Sequence, residues 1–193
     1  MPTRRLRYGA RLSRRRPAVA PRTCPMKILR WLLLVLLVAA LLLVVAGQAG
    51  LLKGSMPGDL GLTDGKLKAP SRTPNSVSSQ AQLHSGAGAE YARIEPIRFD
   101  PAKTDSAAAL TAIGAIVLKM PGARIVQSGP DYLYVQFQTR WLKFVDDAEF
   151  AVVGSEPVIH VRSASRIGRK DFGVNRARIE SIRAAFAESS LAR

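Results

Sequence analysis

The stretch Phe144–Glu180, FVDDAEFAVVGSEPVIHVRSASRIGRKDFGVNRARIE, decides how this chain is read. Its first half alternates apolar and polar side chains on both sides of Gly154-Ser155-Glu156-Pro157, a turn composition. That pattern predicts two strands, Leu142 to Val153 and Val158 to Ser165, joined as a hairpin. A four-residue loop pairs Val153 with Val158, so Phe150 lies opposite Val161 and Val152 opposite Ile159. Apolar meets apolar, which supports the register. On the other face Glu149 falls opposite Arg162 as a cross-strand ion pair, and His160 sits beside Ala151. Asp146 is the odd residue. Strict alternation places it on the apolar face beside Ser163 and Ser165. A buried carboxylate without partners is costly, so those hydroxyls or Arg166 are expected to satisfy it. A bulge at Asp146-Asp147 is the alternative.

Outward from the hairpin, Tyr132 to Gln138 alternates cleanly, with Leu133, Val135 and Phe137 on one face and Tyr132, Tyr134 and Gln136 on the other. Ala123 to Gln127 reads as the strand before it, with a turn at Gly129-Pro130-Asp131. Pro101 to Met120 holds a helix that Thr104 or Asp105 can cap. Its apolar stripe is Leu110, Ile113, Ile116, Val117 and Met120, and Pro121-Gly122 ends it. A last helix runs from about Val174 to Ser189, with Ile179, Ile182 and Phe186 on one side and Arg176, Arg178 and Arg183 on the other. The order helix, four strands, helix predicts an α+β domain: two layers, a four-stranded antiparallel sheet with both helices on one face. Tyr132, Tyr134, Gln136, Asp147, Glu149, His160 and Arg162 would then share an uncovered face.

Upstream, Trp31 to Ala46 is an unbroken apolar run, WLLLVLLVAALLLVVA. With its flanks, residues 26–52 are long enough for a helix that crosses a bilayer. Of the 29 lysines and arginines, ten lie in residues 1–30 with no acidic residue among them. The positive-inside rule therefore puts the N-terminus in the cytoplasm and the rest outside it. For a bacterial chain this means a single-pass inner-membrane protein with a periplasmic domain. A cleaved signal peptide is the competing reading, with small-residue sites at Ala46 and Ala49. Met26-Lys27-Ile28 would itself make a start, so one reading of residues 1–25 is an upstream extension that is not translated; the alternative is a basic arm on anionic lipid heads. Residues 53–90, rich in Gly, Ser and Pro, read as a linker with irregular structure. The compact domain then spans 91–193.

The net charge of +15 is concentrated in the basic N-terminal segment, and that segment has a single aromatic, Tyr8. A nucleic-acid partner is therefore not expected. Cys24 is the only cysteine, and His84 and His160 lie far apart, so no metal site and no cofactor are expected.

Three chemistries are open to the polar residues. Glu149 and His160 are the weak candidates for acid–base catalysis, as in an envelope hydrolase. Ser163 and Ser165 stand in no nucleophile-elbow motif. The run S-A-S-R-I-G-R-K-D offers Arg162, Ser163, Ser165, Arg166, Arg169 and Lys170 to an anion. A structural network of Asp146, Asp147, Asp171, Asn175, Arg178 and Glu180 is the alternative use of the same region, with Asn175 capping the last helix.

The spacing of DD-x-EF, RSxSRxG and D-x-G-x-NRxRIE, together with PNSVSSQ at residues 74–80, resembles the DUF1499 family, from about Leu67 to Ile182. That family has no agreed activity, so the resemblance implies no catalytic residues. It implies a small secreted or membrane-anchored domain. The family's first block usually reads CP-x-x-PNCVSS; Ala69 and Ser76 stand here where those cysteines would be, so the loop is held without a covalent tie. The expected function is a binding or scaffold module for an anionic envelope ligand or lipid head group, with a protein-docking subunit of an envelope complex as another possibility.

Overall fold

Period-two alternation builds the sheet. In the computed structural model, which describes residues 25–86, 88–189 and 191–192, β4 (Tyr132–Gln138), β5 (Val145–Ala151) and β6 (Val158–Ser165) form an antiparallel meander, with β3 (Ala123–Ser128) beside β4. The β5–β6 register sets Phe150 opposite Val161, Glu149 opposite Arg162 and Ala151 opposite His160, as the hairpin reading requires. A one-residue slip would turn every one of these side chains to the wrong face.

The four-stranded expectation is too small. Two short strands, β1 (Ser76–Ser78) and β2 (Ile97–Arg98), lie along the outer edge of β6 and bring the sheet to six strands. Each is too short to carry a period, so neither is legible in the sequence. Together they satisfy edge groups of β6 that would otherwise invite pairing with another chain.

Helix α3 (Ser106–Val117) and helix α4 (Val174–Ala187) both pack on one face of the sheet. Asp105 caps α3 by accepting from the amide of Ala108 at 2.7 Å. Leu110, Ile113 and Val117 meet Ile179, Ile182 and Phe186 over Leu133, Val135, Phe137, Phe150 and Val161. A one-turn helix, α2 (Ala89–Ala92), and a 3-10 turn at Ala81–Leu83 are additional to the two expected helices.

The other face is covered, contrary to the expectation. Leu67 is buried against Tyr132, Tyr134 and Ala151, with Leu60 and Leu62 beside it. Residues 57–68 thus cross the sheet as a strap. Its backbone is tied down by the amide of Leu67 to Gln80 Oε1 at 2.7 Å and by Gln80 Nε2 to the carbonyl of Gly65 at 3.1 Å. Three leucines at irregular spacing produce no periodic signal, yet they are enough to seal a narrow sheet.

The chain divides into two units, one ending at Ala39 and one from Ala40 that holds the sheet. Helix α1 (Pro25–Gln48) is long and apolar enough to cross a membrane, and a signal sequence would share those properties. Its large apolar side chains other than Val44 are exposed. The basic segment preceding it lies outside the described residues.

Candidate functional site

Residue parity splits the polar residues of β5 and β6 between the two faces. On the strap face, Glu149 is fully buried. It accepts from Tyr132 Oη at 2.8 Å, from the amide of Gly61 at 2.7 Å and from Arg162 Nη1 at 3.3 Å. Next to it, Asp147 takes a two-pronged contact from Arg166, with Nε to Oδ2 at 2.8 Å and Nη2 to Oδ1 at 2.7 Å, and a hydrogen bond from Tyr134 Oη. Planar pairing of this kind is the strongest a guanidinium makes. The Arg166 pKa is raised, chiefly by its hydrogen bond to Asp147. Burial is the main reason both tyrosines titrate above their ordinary value, reinforced by Glu149 beside Tyr132 and Asp147 beside Tyr134.

On the helix face, Asp146 lies opposite Ser165 without a bulge. Its partner is Arg178 of α4, at 2.6 Å, rather than Arg166, whose parity directs it to the strap face. The Arg178 guanidinium also stacks over Phe137, 4.5 Å from the ring centroid, and donates to Asn175 Oδ1. Asn175 is fully buried and ties three elements together. It accepts from Ser163 Oγ and donates to Ser165 Oγ at 3.1 Å and to Asp171 at 2.9 Å.

The N-cap position of α4 is Gly173 rather than Asn175, and the first turn is tied down by Asp171. The Asp171 carboxylate accepts from the amides of Gly173 and Asn175 and from Tyr91 Oη. Burial alone would raise its pKa, but these hydrogen bonds outweigh burial and hold it below the ordinary value. Glu180 stands apart from this network and pairs with Arg183 one turn on.

The six residues offered to an anion are thus separated. Arg162 and Arg166 are consumed by Glu149 and Asp147, Ser163 and Ser165 by Asn175. Arg169 and Lys170 are exposed in the loop between β6 and α4, with no carboxylate partner among the described residues. Phe172 in the same loop is 93% exposed, with φ +53°, a conformation that bulky residues seldom adopt.

Glu149 and His160 do not form an acid–base pair. The carboxylate is sealed under the strap, and His160 Nδ1 lies 3.3 Å from Ser79 Oγ instead. Burial lowers the His160 pKa. Ser79 lies in the PNSVSSQ block, and no spacing in the sequence marks it apart from its neighbours. It too is buried, and its oxygen accepts from the amide of Val161 at 2.9 Å, which is the role of a backbone-tying serine. Among the described residues no three His, Cys, Asp or Glu side chains group as they would around a metal ion.

At one end of the sheet, exposed Arg140, Arg169 and Lys170 and half-buried Lys143 lie on two loops. Loop 139–144 leaves the C-terminal end of β4, and loop 166–173 leaves the C-terminal end of β6; antiparallel pairing puts both at this end. Arg140, Trp141 and Lys143 lie on the first loop, and Arg140 stacks on Trp141 at 5.0 Å. The PNSVSSQ block is placed at the same end, where Asn75 Nδ2 donates to the carbonyl of Gly168 at 2.7 Å. The amide of Ser71 donates to Ser76 Oγ at 2.8 Å, a hydrogen bond across the loop that lacks cysteines.

No curated protein and no solved structure matches this chain. A family profile described as "Protein of unknown function (DUF1499)" matches residues 66–186, from the strap's last buried leucine through the last core residue of α4, and the chain therefore belongs to the DUF1499 family.

Proposed function

We propose that this chain is a single-pass membrane protein whose folded unit is a periplasmic binding module for an anionic ligand of the cell envelope. The observation that carries the reading is the disposition of charge. The three acids of β5 are spent on Arg162, Arg166 and Arg178 inside the protein, while Arg140, Lys143, Arg169 and Lys170 have no carboxylate partner among the described residues and lie on two loops at one end of the sheet. Cations clustered without counter-charges raise the local concentration of anions. Exposed Trp141 and Phe172 on the same loops suit a site at a lipid or polymer surface. Lys27 and Arg30 in the first turns of α1, against Lys53 after it, support a cytoplasmic N-terminus.

The test is native mass spectrometry of the full chain, extracted gently from cells, beside Arg169→Ser/Lys170→Ser. A discrete bound anionic mass that the double variant loses, with its unfolding midpoint unchanged, is the expected result. A clean apo mass in the wild type, with one protein co-purifying in its place, would replace ligand binding by protein docking. Arg166→Ala is unsuitable for this purpose, because it leaves the buried Asp147 without its ion-pair partner.

A further inference from the structure

A groove of about 810 Å³ opens at the same end of the sheet, between the residues that follow α3, the ends of β3 and β4, and the first turns of α4. Its volume lies within the range of small-molecule sites. Met120, Phe137, Val174 and Ala177 supply an apolar wall, and Arg140 and Lys143 stand on the loop that forms its rim. Arg178 also borders it but is neutralised by Asp146. None of the residues that line the groove is a carboxylate.

This is a two-part surface: a hydrocarbon-compatible wall with two unpaired cations at its edge. A free phosphate would use the cations and leave the wall exposed to water. A neutral hydrophobe would use the wall and leave the cations idle. A phospholipid with an anionic phosphodiester head satisfies both, because the wall removes acyl methylenes from water and the two cations attract the phosphate.

The position of the groove points to the source of the lipid. Gln48, the last residue of α1 and part of the folded unit, donates from Nε2 to the carbonyl of Trp141 at 2.9 Å. The Cα of Leu142 lies so close to Gly47 that a Cβ there could not be accommodated. The rim loop is therefore built directly onto the end of the apolar helix. Trp141, 61% exposed beside that helix end, has the character of an interfacial tryptophan.

We propose that the groove holds one anionic phospholipid drawn from the membrane that anchors α1, its phosphate between Arg140 and Lys143 and part of an acyl chain along Met120, Phe137 and Val174. This rests on the membrane-anchored reading above and names the ligand class and its seat.

The full chain is purified in a non-ionic detergent and titrated with phosphatidylglycerol, phosphatidylcholine or glycerol phosphate, with bound mass read by native mass spectrometry. Wild type is compared with two groove variants, Arg140→Ser/Lys143→Ser and Ala177→Trp, which fills the groove from an exposed helix position, and with Arg169→Ser/Lys170→Ser as the loop control. The wild type is expected to retain one phosphatidylglycerol in preference to phosphatidylcholine by about tenfold or more, and both groove variants are expected to lose that preference while keeping the wild-type unfolding midpoint. Binding of glycerol phosphate as tight as that of the lipid would overturn the acyl-chain part. Equal retention by the wild type and Arg140→Ser/Lys143→Ser would overturn the seat. If only Arg169→Ser/Lys170→Ser abolishes binding, the anion-binding reading stands and the groove is excluded. If the mature chain is recovered without α1 and in the soluble fraction, the anchored reading fails, and the same titration with lysophosphatidylglycerol decides the groove by itself.

Discussion

Asp147 and Asp146 are neighbours in the chain, yet each depends on an arginine the other cannot reach. Each carboxylate is stabilised by one guanidinium, so removing that guanidinium leaves a charge with little water to replace it. Arg166→Ala is expected to cost about 3–5 kcal/mol, read as a lowered midpoint in chemical unfolding. The double change Asp147→Leu/Arg166→Met should recover most of that loss, because it removes both charges and keeps the volume. A single variant as stable as the wild type would mean that water reaches Asp147 freely. His160 gives a pH signature. Its folded pKa lies below the ordinary 6.5 because burial disfavours the charged ring. The unfolded chain therefore takes up the proton first as pH falls, and stability declines from about pH 7 downward until the folded ring also protonates. The thermal midpoint should drop between pH 7.5 and pH 5, and His160→Gln should flatten that part of the profile. Asp171 acts lower: its depressed folded pKa contributes stability above the ordinary value of 3.8 that is lost as pH falls below it.

At the scale of elements, the turn between α3 and β3 is the tightest joint. Gly122 has φ +73°, and its carbonyl accepts from the amide of Gln138 at 2.9 Å. A Cβ at this position would collide with the backbone of Gln138. Gly122→Ala is expected to cost about 1–3 kcal/mol from the left-handed conformation alone, and more from the collision. Gly58, with open space around it, is the control, and its alanine variant should stay within about 0.5 kcal/mol of wild type in the same unfolding experiment. The Pro-Gly pair after an apolar helical stripe was legible as a stop. That the glycine is also pressed against β4 follows only from the folded sheet. The strap teaches the same lesson. Its residues Leu60, Leu62 and Leu67 lack a period, so composition marks the segment as linker, while Glu149 and Tyr132 acquire their burial from it.

For the whole molecule, topology is the property with the widest consequence. Cys24 is the only cysteine, so it reports on one side of the apolar helix without engineering. In intact cells a membrane-impermeant maleimide should leave Cys24 unlabelled until the membrane is permeabilised, and should label Ser155→Cys, placed in the exposed β5–β6 turn of a Cys24→Ser chain. Labelling of Cys24 with protection of the turn would invert the orientation and remove the folded unit from the periplasm. The charge asymmetry behind this expectation belongs to the chain as a whole. It is carried by ten basic residues within the first thirty, while Arg162, Arg166 and Arg178 of the folded unit are paired with the acids of β5.

The sequence by itself determined the strands β4 and β6, the hairpin register, the stripes of α3 and α4 and the apolar helix. Each is a local repeat, of period two, 3.6 or unbroken apolarity, and a local repeat can be read without knowing what it packs against. It also determined which face each side chain of β5 and β6 occupies. Only the tertiary structure decided what lies over those faces. The choice of Arg178 for Asp146, the sealing of Glu149, the contact of Tyr91 with Asp171 and the groove beside Arg140 all join residues distant in the chain. Such contacts depend on how layers stack and loops close, and no spacing along the sequence encodes them.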